Sequence, residues 1–461
     1  MPISLATQIP GPRTREALER GRFDMQAGYR ALIIDDEASH GCYLVDLDGN
    51  TILDMFSSFA LGALGYNHPR LLAAARSEAV VRALANPTST PFLTTHSWLD
   101  FVDRVAERWA PPGMHKMYCV DAGGEAVESA IKAAYIVHGE RKRAGAGKPR
   151  DPLELAPAEQ QAILENRAGS KAVVVSFGGA FHGRGLGPMS ATHSKPIHKA
   201  DLPCFEWPVV PFPASRFPLE DNLEANAASE AASLEALAAV LAKHSGNVAA
   251  VLVEVVQCEG GDRYASPDFF RTVQKMTRAA GAALILDEVQ TGVGVTGSLW
   301  AHEQLALDEP PDMVVFGKKM QLGGFFAGER YDISQFGRMY QTRNGDRARA
   351  AIALATLEAI EEERLLTAVR TQGEYFVEQL RELAARHPTL VSQPRGVGFL
   401  LAFDMPTPEL RNTFLVRARE KGVMASYTGT RSVRLRPHLI TTRKEIDEAL
   451  AVFGAVLDEL V

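Results

Sequence analysis

Cysteine is scarce in this chain of 461 residues. The four cysteines are Cys42, Cys119, Cys204 and Cys258. They lie far apart, so the sequence predicts neither a disulfide framework nor a closely spaced zinc motif, and it fits a reducing compartment. His193 and His198 also lack partners at metal-ligand spacing, so we expect no metal site.

Long apolar runs and an excess of basic residues are also missing. No apolar stretch approaches the ~20 residues that cross a bilayer, and the N-terminal stretch lacks a long apolar core. The formal net charge of −7 gives no positive field for nucleic acid or an anionic membrane. We expect a soluble, cytoplasmic protein that acts on small molecules and has no nucleic-acid or membrane partner.

Short runs rich in valine, isoleucine and leucine recur through the middle of the chain. They occupy residues 116–123, 171–177, 247–256, 282–289 and 312–318. Because they are apolar on both faces, they are typical of buried, mostly parallel strands. Helix-like stretches lie between them, so the pattern predicts a doubly wound α/β layer.

A second, smaller α/β unit follows from about residue 350, where long helices alternate with shorter strands. Thr442 and Glu445 have the spacing of a capping box before the last helix. Residues 42–56 indicate a hairpin that could join this unit. We therefore predict an N-terminal part of the small domain over residues 1–80, a large domain over 81–345 and a C-terminal part over 346–461.

Two strand ends carry opposite charges. Asp287 and Glu288 end one apolar run, and Lys318 and Lys319 follow the next. Ligands bind outside the C-terminal ends of parallel strands, so Asp287 and Lys319 are expected at one crevice. A buried lysine can act as an amine nucleophile, and a carboxylate can keep a pyridine nitrogen protonated. Together they indicate a pyridoxal phosphate site, with a structural ion pair as the alternative.

A phosphate and a carboxylate also have candidate binding residues. Gly123 and Gly124 end a strand and open a helix, where backbone N–H groups can bind an anion, although a tight turn explains them equally well. Phe181 could stack on a planar ring, and Arg184 could bind a carboxylate. His182 alone is more often a packed or surface histidine.

The stretch from Gly292 to Gly297 spells G-x-G-x-x-G, which is the pattern of a dinucleotide-binding fold. The match is weak because residues 288–291 separate its first glycine from the strand end. Asp312 also precedes the next strand instead of ending it. A nicotinamide oxidoreductase is therefore a poorer hypothesis, and a non-catalytic binding scaffold is a third.

These residues together resemble the class III, fold-type I aminotransferases, which use pyridoxal phosphate, over nearly the whole chain. Two motifs carry the resemblance. One is DEVQTG at 287–292, and the other is a lysine separated by three residues from a Gly-Gly pair. Because Gly323 and Gly324 have this spacing from Lys319, the second motif selects Lys319 over Lys318. GAFHGRG, THSKPIHKADLP, EGGDRYASPDFF and SVRLRPHL are most similar to the subgroup of 4-aminobutyrate aminotransferases. Lysine 6-aminotransferases are the nearest alternative, since they share AFHGR, EGGDR and FGKK.

The resemblance implies a cofactor site in which Lys319 is the catalytic lysine. Asp287 would hold the pyridine nitrogen, and Gln290 the ring hydroxyl. The remaining expected cofactor residues are Gly123, Gly124, Phe181, His182, Glu254 and Thr342. Of these, Phe181 would stack on the ring, and the phosphate would be bound by both glycines and by Thr342 of a partner subunit in a homodimer.

The resemblance also implies a substrate site and a reaction. Arg184, helped by Lys195, would bind the distal carboxylate. Glu259 and Arg434 would form a gate in which Glu259 neutralises the arginine until a second carboxylate arrives. Arg436, two residues on, could substitute for Arg434. The expected reaction moves the terminal amino group of an ω-amino acid such as 4-aminobutyrate, lysine or ornithine to 2-oxoglutarate, giving a semialdehyde and glutamate.

Some residues depart from the family pattern. Ala122 and Glu125 stand where the animal enzymes have the cysteines of an iron–sulfur cluster, so no cluster is expected. Val255 replaces a usual proline, and Arg343 replaces a usual aromatic residue after the phosphate threonine. These departures leave the expected cofactor site intact and the identity of the donor open.

Overall fold

The computed structural model describes residues 2–20, 31–88, 90–114, 116–333 and 335–460. The strands in these residues are β1 (Ile34–His40), β2 (Tyr43–Asp46), β3 (Thr51–Asp54), β4 (Lys116–Val120), β5 (Val173–Phe177), β6 (Val209–Val210), β7 (Val248–Glu254), β8 (Ala283–Asp287), β9 (Met313–Phe316), β10 (Gly323–Ala327), β11 (Ser392–Val397), β12 (Leu400–Asp404), β13 (Val423–Met424), β14 (Ser426–Thr428) and β15 (Ser432–Leu435).

The helices in the same residues are α1 (Pro12–Arg20), α2 (Ser57–Ala60), α3 (Pro69–Ala75), α4 (Glu78–Ala85), α5 (His96–Arg108), α6 (Gly123–Gly145), α7 (Pro157–Leu164), α8 (Leu186–Ser190), α9 (Leu223–Lys243), α10 (Pro267–Ala279), α11 (Arg347–Glu362), α12 (Leu365–Arg386), α13 (Pro408–Glu420) and α14 (Arg443–Asp458). The start of α14 has the predicted capping box, in which Thr442 and Glu445 cap each other's backbone N–H.

The central sheet has the strand order β4-β10-β9-β8-β7-β5-β6. The pairs among β5 to β9 are parallel, and β10 runs antiparallel to both β9 and β4. The five apolar runs identified in the sequence are β4, β5, β7, β8 and β9. The prediction of an α/β fold with a mostly parallel sheet is therefore confirmed.

The two faces of the central sheet pack against different helices. Because side chains alternate along a strand, Ala250 and Leu252 of β7 join a core with α6, whereas Val251 and Val253 join a core with α10. Burial on both faces explains why these strands read as continuous apolar runs.

Segments that are distant in sequence share the first of two smaller sheets. The predicted hairpin is formed by β2 and β3, and β13 pairs in parallel with β3, which gives the order β1-β2-β3-β13. The other sheet is antiparallel, with the order β11-β12-β15-β14. The domain boundaries at residues 80 and 345 stay a prediction.

Within the described ranges, no helix combines the length and the apolar character that crossing a membrane requires. The same residues contain no group of three or more histidine, cysteine, aspartate or glutamate side chains that could hold a metal ion.

Two helical glycines allow a test of the packing between α12 and the loop after β11. A Cβ added to Gly373 would lie 2.4 Å from the carbonyl oxygen of Gly398, whereas one added to Gly454 in α14 would meet nothing within 4 Å. We expect Gly373→Ala to lower the free energy of unfolding by about 1–3 kcal/mol. Gly454→Ala should leave it unchanged or raise it by up to about 1 kcal/mol. Urea unfolding of both variants measures this, and equal shifts would contradict the packing described.

Candidate functional site

The C-terminal ends of β7, β8 and β9 lie at one edge of the central sheet. Glu254 pairs with Asp287 at the ends of β7 and β8, and Asp287 pairs with Val315 of β9. Lys319 follows on a short 3₁₀ turn, Lys318–Met320. Asp287 is 5% exposed and Lys319 is 1% exposed. The two residues that the sequence predicts at one crevice therefore lie buried at the same sheet edge.

Two backbone carbonyl groups hold the side chain of Lys319. Its Nζ donates to the oxygen of Gln290 at 2.9 Å and to that of Ala60 at 3.4 Å. Burial lowers the pKa of Lys319 to about 7, and the neighbouring charge of Lys318 acts in the same direction. A substantial fraction of this amine is therefore unprotonated and nucleophilic near neutral pH.

A histidine orients the Asp287 carboxylate. Oδ2 of Asp287 lies 2.8 Å from Nδ1 of His182, and Oδ1 accepts the backbone N–H of Val289. The backbone of His182 is itself fixed by Thr192, and its Nε2 is buried without a hydrogen-bond partner. His182 is thus a packed residue that belongs to the site.

Glu254 ties together two loops of the site. Its oxygens accept the backbone N–H groups of Phe181 at 2.9 Å and Cys258 at 3.1 Å. Burial raises the pKa of Glu254 well above its usual value, and the nearby charge of Asp287 adds to this. The raised pKa favours the neutral form of Glu254, which avoids placing two negative charges at adjacent strand ends.

The N-terminus of α6 presents backbone donors at the same edge. The helix begins at Gly123, and Ala122 provides no side-chain cap for its first N–H groups. A Cβ on Gly123 would lie 2.6 Å from Cγ1 of Val289, so the close approach to that loop requires glycine here. An uncapped helix start beside a buried lysine and carboxylate fits a phosphate-bearing pyridine aldehyde.

Thr342 lies on the exposed stretch before α11. It lines a cavity with Ala83, Thr88 and Arg347, and that cavity does not include the residues at the strand ends of β7, β8 and β9. The expected role of Thr342 in binding phosphate stays a prediction.

Basic residues surround a single glutamate on the substrate side. NH1 of the buried Arg434 lies 2.5 Å from Oε1 of Glu259, and Nζ of Lys195 lies 3.4 Å from its Oε2. Burial alone would raise the pKa of Glu259, but Arg434 outweighs it and holds the pKa at about 2. Arg184 is exposed, and its guanidinium carbon lies 5.9 Å from the ring centre of Phe181.

Arg436 is committed to a different partner from Arg434. It is 0% exposed, as is Asp262, and the two form an ion pair with NH1 2.9 Å from Oδ2. Its Nε also donates to Oε1 of Gln290 at 3.0 Å. The suggestion that Arg436 could substitute for Arg434 is therefore wrong, because its partner Asp262 is fully buried, whereas the side chain of Glu259, the partner of Arg434, is 12% exposed.

Glu288 points away from Asp287 and has a structural role that the sequence reasoning missed. It accepts the backbone N–H groups of Ala301 at 2.6 Å and His302 at 2.9 Å, and it contacts Nδ1 of His302. The opposite orientation of successive residues at a strand end could have revealed this. Glu288 thus caps the 3₁₀ turn Ala301–Leu305.

A left-handed turn at α2 forms another part of the site that the sequence reasoning missed. Ser57, Ser58, Phe59 and Ala60 have φ angles of 41°, 49°, 63° and 63°. Each costs roughly 1–2 kcal/mol relative to a right-handed conformation. Because none of the four is glycine, the sequence carries no signal for this turn. It brings the Ala60 carbonyl to Lys319 and the Phe59 ring to within 5.1 Å of the Arg434 guanidinium carbon.

Known proteins match this chain over most of its length. The family model for class III aminotransferases matches residues 25–457. Mitochondrial 4-aminobutyrate aminotransferase of Mus musculus is 34% identical over 98% of this chain and 90% of its own length. The 4-aminobutyrate aminotransferase of Schizosaccharomyces pombe is 38% identical over 96% of this chain and 94% of its own.

A solved aminotransferase structure also matches the chain. Lysine aminotransferase from M. tuberculosis, in the internal aldimine form, superposes with a TM-score of 0.87. It is 33% identical, and the match covers 99% of this chain and 100% of that one. The fold is thus that of a fold-type I transferase. The chain belongs to the class III aminotransferase family and is an aminotransferase.

The Glu259–Arg434 pair predicts a pH dependence of stability. The pKa of Glu259 falls from its ordinary 4.5 to about 2 on folding, so its carboxylate stabilises the native state above pH 4.5. This contribution is lost progressively as the pH falls from about 5 toward 2. We expect Glu259→Gln to be less stable than the native chain at pH 7, with the difference shrinking toward pH 3. Denaturant unfolding at several pH values measures this, and a difference that grows on acidification would contradict it.

Proposed function

We propose that the chain uses pyridoxal phosphate to move the terminal amino group of an ω-amino acid such as 4-aminobutyrate to 2-oxoglutarate. The products are a semialdehyde and glutamate. The observation that carries this proposal is the buried amine of Lys319, with its pKa of about 7, at the same sheet edge as the Asp287 carboxylate. The names of the relatives from mouse and S. pombe support the donor. Lysine is the second candidate donor because a lysine aminotransferase has the same fold at 33% identity.

The residues proposed to hold the cofactor surround the strand ends of β7, β8 and β9. They are Gly123, Gly124, Phe181, His182, Glu254, Asp287, Gln290, Lys319 and Thr342. When bound, pyridoxal phosphate supplies a ring that withdraws electrons from the substrate carbon, and it carries the amino group between the two substrates. The glycines and the N-terminus of α6 would bind its phosphate, Phe181 would stack on its ring, and Gln290 would bind the ring hydroxyl.

Lys319 and Asp287 perform the proton chemistry. With a pKa of about 7, the amine of Lys319 can accept a proton from the substrate carbon and return it at neutral pH. Asp287 holds the proton on the pyridine nitrogen, and His182 keeps its carboxylate oriented through the 2.8 Å contact. The carbonyl of Gln290 binds the lysine amine whenever that amine is free.

The Glu259–Arg434 pair allows one site to accept two substrates. While a donor with one carboxylate is bound, Glu259 neutralises the buried Arg434. The second carboxylate of 2-oxoglutarate then takes the place of Glu259 on this guanidinium. Arg184 and Lys195 bind the distal carboxylate of either substrate.

A homodimer is the proposed assembly. Thr342 is exposed, and the cavity that it lines does not include Gly123, Asp287 or Lys319, which supports a role for it in the phosphate site of a partner subunit. The cytoplasmic location and the division into a large and a small domain also stay predictions.

Lys319→Ala tests which of the two adjacent lysines reacts with the cofactor. The variant should bind pyridoxal phosphate but lack the visible absorbance band of the lysine adduct, and turnover should fall by at least about 10⁴-fold because nucleophile and proton carrier are both lost. Lys318→Ala is the matched control and should keep the visible band. Spectra of both purified variants decide between them. A band that survives in Lys319→Ala and disappears in Lys318→Ala would reverse the assignment.

The donor is tested in the first half-reaction alone. We expect 4-aminobutyrate to bleach the visible band with a higher kcat/KM than L-lysine or L-ornithine, because those two donors carry an additional ammonium group beside their carboxylate, which the basic side chains of Arg184 and Lys195 would repel. Stopped-flow absorbance without 2-oxoglutarate measures each rate. A faster reaction with L-lysine would transfer the assignment to the second candidate donor.

A further inference from the structure

A buried carboxylate and imidazole lie behind the left-handed turn and outside the residues assigned above. Nε2 of His438 lies 3.3 Å from Oδ2 of Asp54, at ion-pair distance but off the line of a good hydrogen bond. Nδ1 of His438 lies 3.1 Å from the carbonyl oxygen of Gly62. Both ring nitrogens of His438 therefore face oxygen atoms, one on each side of the ring.

Asp54 fixes the beginning of the turn. Its Oδ1 accepts the backbone N–H groups of Phe56 at 2.8 Å and Ser57 at 2.9 Å. Its Oδ2 accepts the hydroxyl of Tyr66 at 2.8 Å. Burial would raise the pKa of Asp54, but the contacts with His438 and these donors outweigh it and lower the pKa. The carboxylate is thus held in its charged form by several donors.

His438 fixes the end of the turn. Besides the contact with the Gly62 carbonyl, its ring packs so closely that a Cβ on Gly62 would lie 2.9 Å from Cε1 of His438. At the first residue of the turn, Oγ of Ser57 donates to the carbonyl oxygen of Arg436 at 2.7 Å. The Asp54–His438 pair therefore spans the turn from the N–H groups at its start to the Gly62 carbonyl, two residues after its end.

The turn needs this support because all four of its residues have positive φ angles. What it presents to the site is the Ala60 carbonyl, 3.4 Å from Nζ of Lys319. The other acceptor of that amine, the Gln290 carbonyl, belongs to the loop after β8. That loop is joined to the turn indirectly, through Arg436, whose carbonyl oxygen accepts the Ser57 hydroxyl and whose side chain donates to the Gln290 side chain.

We propose that His438 is a positioning residue: by bridging Asp54 and Gly62 it holds the left-handed turn so that the Ala60 carbonyl binds the free amine of Lys319. The inference rests on the proposed function in that Lys319 is the reactive amine. Two acceptors from separate segments then define where this amine lies whenever it is not attached to the cofactor. The titratable or charged groups that act on Lys319 are Lys318, Cys258, Arg436 and Glu288, and none belongs to the turn.

The test measures the titration of Lys319 in the full-length protein freed of cofactor. Formaldehyde with cyanoborohydride methylates unprotonated amines, and mass spectrometry of the peptide that contains Lys319 gives the extent at each pH. A carbonyl oxygen stabilises the ammonium form, so its displacement favours the free amine. In His438→Gln we expect the midpoint of the Lys319 profile to move down by about half a pH unit.

His387→Gln is the matched control. His387 is also buried, and its Nε2 lies 3.6 Å from Asp458, but it joins the end of α12 to α14. This variant should lower the unfolding temperature without moving the midpoint. If His438→Gln lowers the unfolding temperature in the same way and also leaves the midpoint in place, His438 is merely structural and the proposal fails.

Three further variants strengthen the test. Asp54→Asn should also lower the pH midpoint of Lys319 methylation. The double variant with His438→Gln should shift this midpoint little further, because both residues act through the same Asp54–His438 contact. Additive shifts would show that the two residues act separately and would contradict the proposal. If His438→Gln does not fold, Tyr66→Phe, which removes one donor to Asp54, should give a smaller shift of the same sign, and no shift would count against the proposal. A visible band retained in Lys319→Ala would overturn the assignment of Lys319 as the reactive amine, on which this inference rests. The pH midpoint of Lys319 methylation, in contrast, tests whether His438 supports the turn.

Discussion

The parallel register of β7, β8 and β9 is the constraint on which the site depends. Parallel strands end at one edge, and a sheet covered on both faces keeps water away from that edge. The charged forms of side chains at these strand ends are therefore unfavourable unless a hydrogen-bond or ion-pair partner is present. Burial accordingly raises the pKa of Glu254 and lowers that of Lys319. Asp287, between them, has His182 and a backbone N–H as partners.

Two arginines on one segment illustrate how burial distinguishes a fixed ion pair from an exchangeable one. Arg436 and Asp262 are both fully buried, and the guanidinium also binds Gln290, so this pair holds the loop after β8 in place. Arg434 shares Glu259 with Lys195, and the side chain of Glu259 is 12% exposed at the crevice. A substrate carboxylate can replace Glu259 without breaking the core, whereas replacing Asp262 would strand a buried charge.

Much of the fold follows from sequence periodicity, because burial on two faces leaves long apolar runs. The five central strands, the first hairpin and the capping box of α14 are all where the sequence predicts them. Strand β10 was missed, since its two glycines weaken the strand pattern. The structure explains why both positions are glycine. A Cβ on Gly323 would lie 2.3 Å from the carbonyl oxygen of Ala122, and a Cβ on Gly324 would lie 2.3 Å from the carbonyl oxygen of Tyr118.

The site was predictable only in part. Asp287 and Lys319 stand out because charges at the ends of apolar strands are unusual. The partners of Arg436 and Glu288 depend instead on which face each side chain takes, and the turn at Ser57–Ala60 on contacts with residues some 380 positions away. Such long-range contacts leave no local pattern, so sequence reasoning could not find them.

The parallel pairing of β3 with β13 has a consequence for biosynthesis. Leu53 pairs with Val423, and Glu448 of α14 accepts both the backbone N–H of Ile3 and the hydroxyl of Tyr43. As the chain leaves the ribosome, the hairpin made first therefore waits with an unpaired strand edge until residues more than 360 positions later emerge. During that interval the nascent polypeptide exposes an unpaired strand edge, to which other chains can pair. It therefore has the features of a client for chaperones that bind near the ribosomal exit.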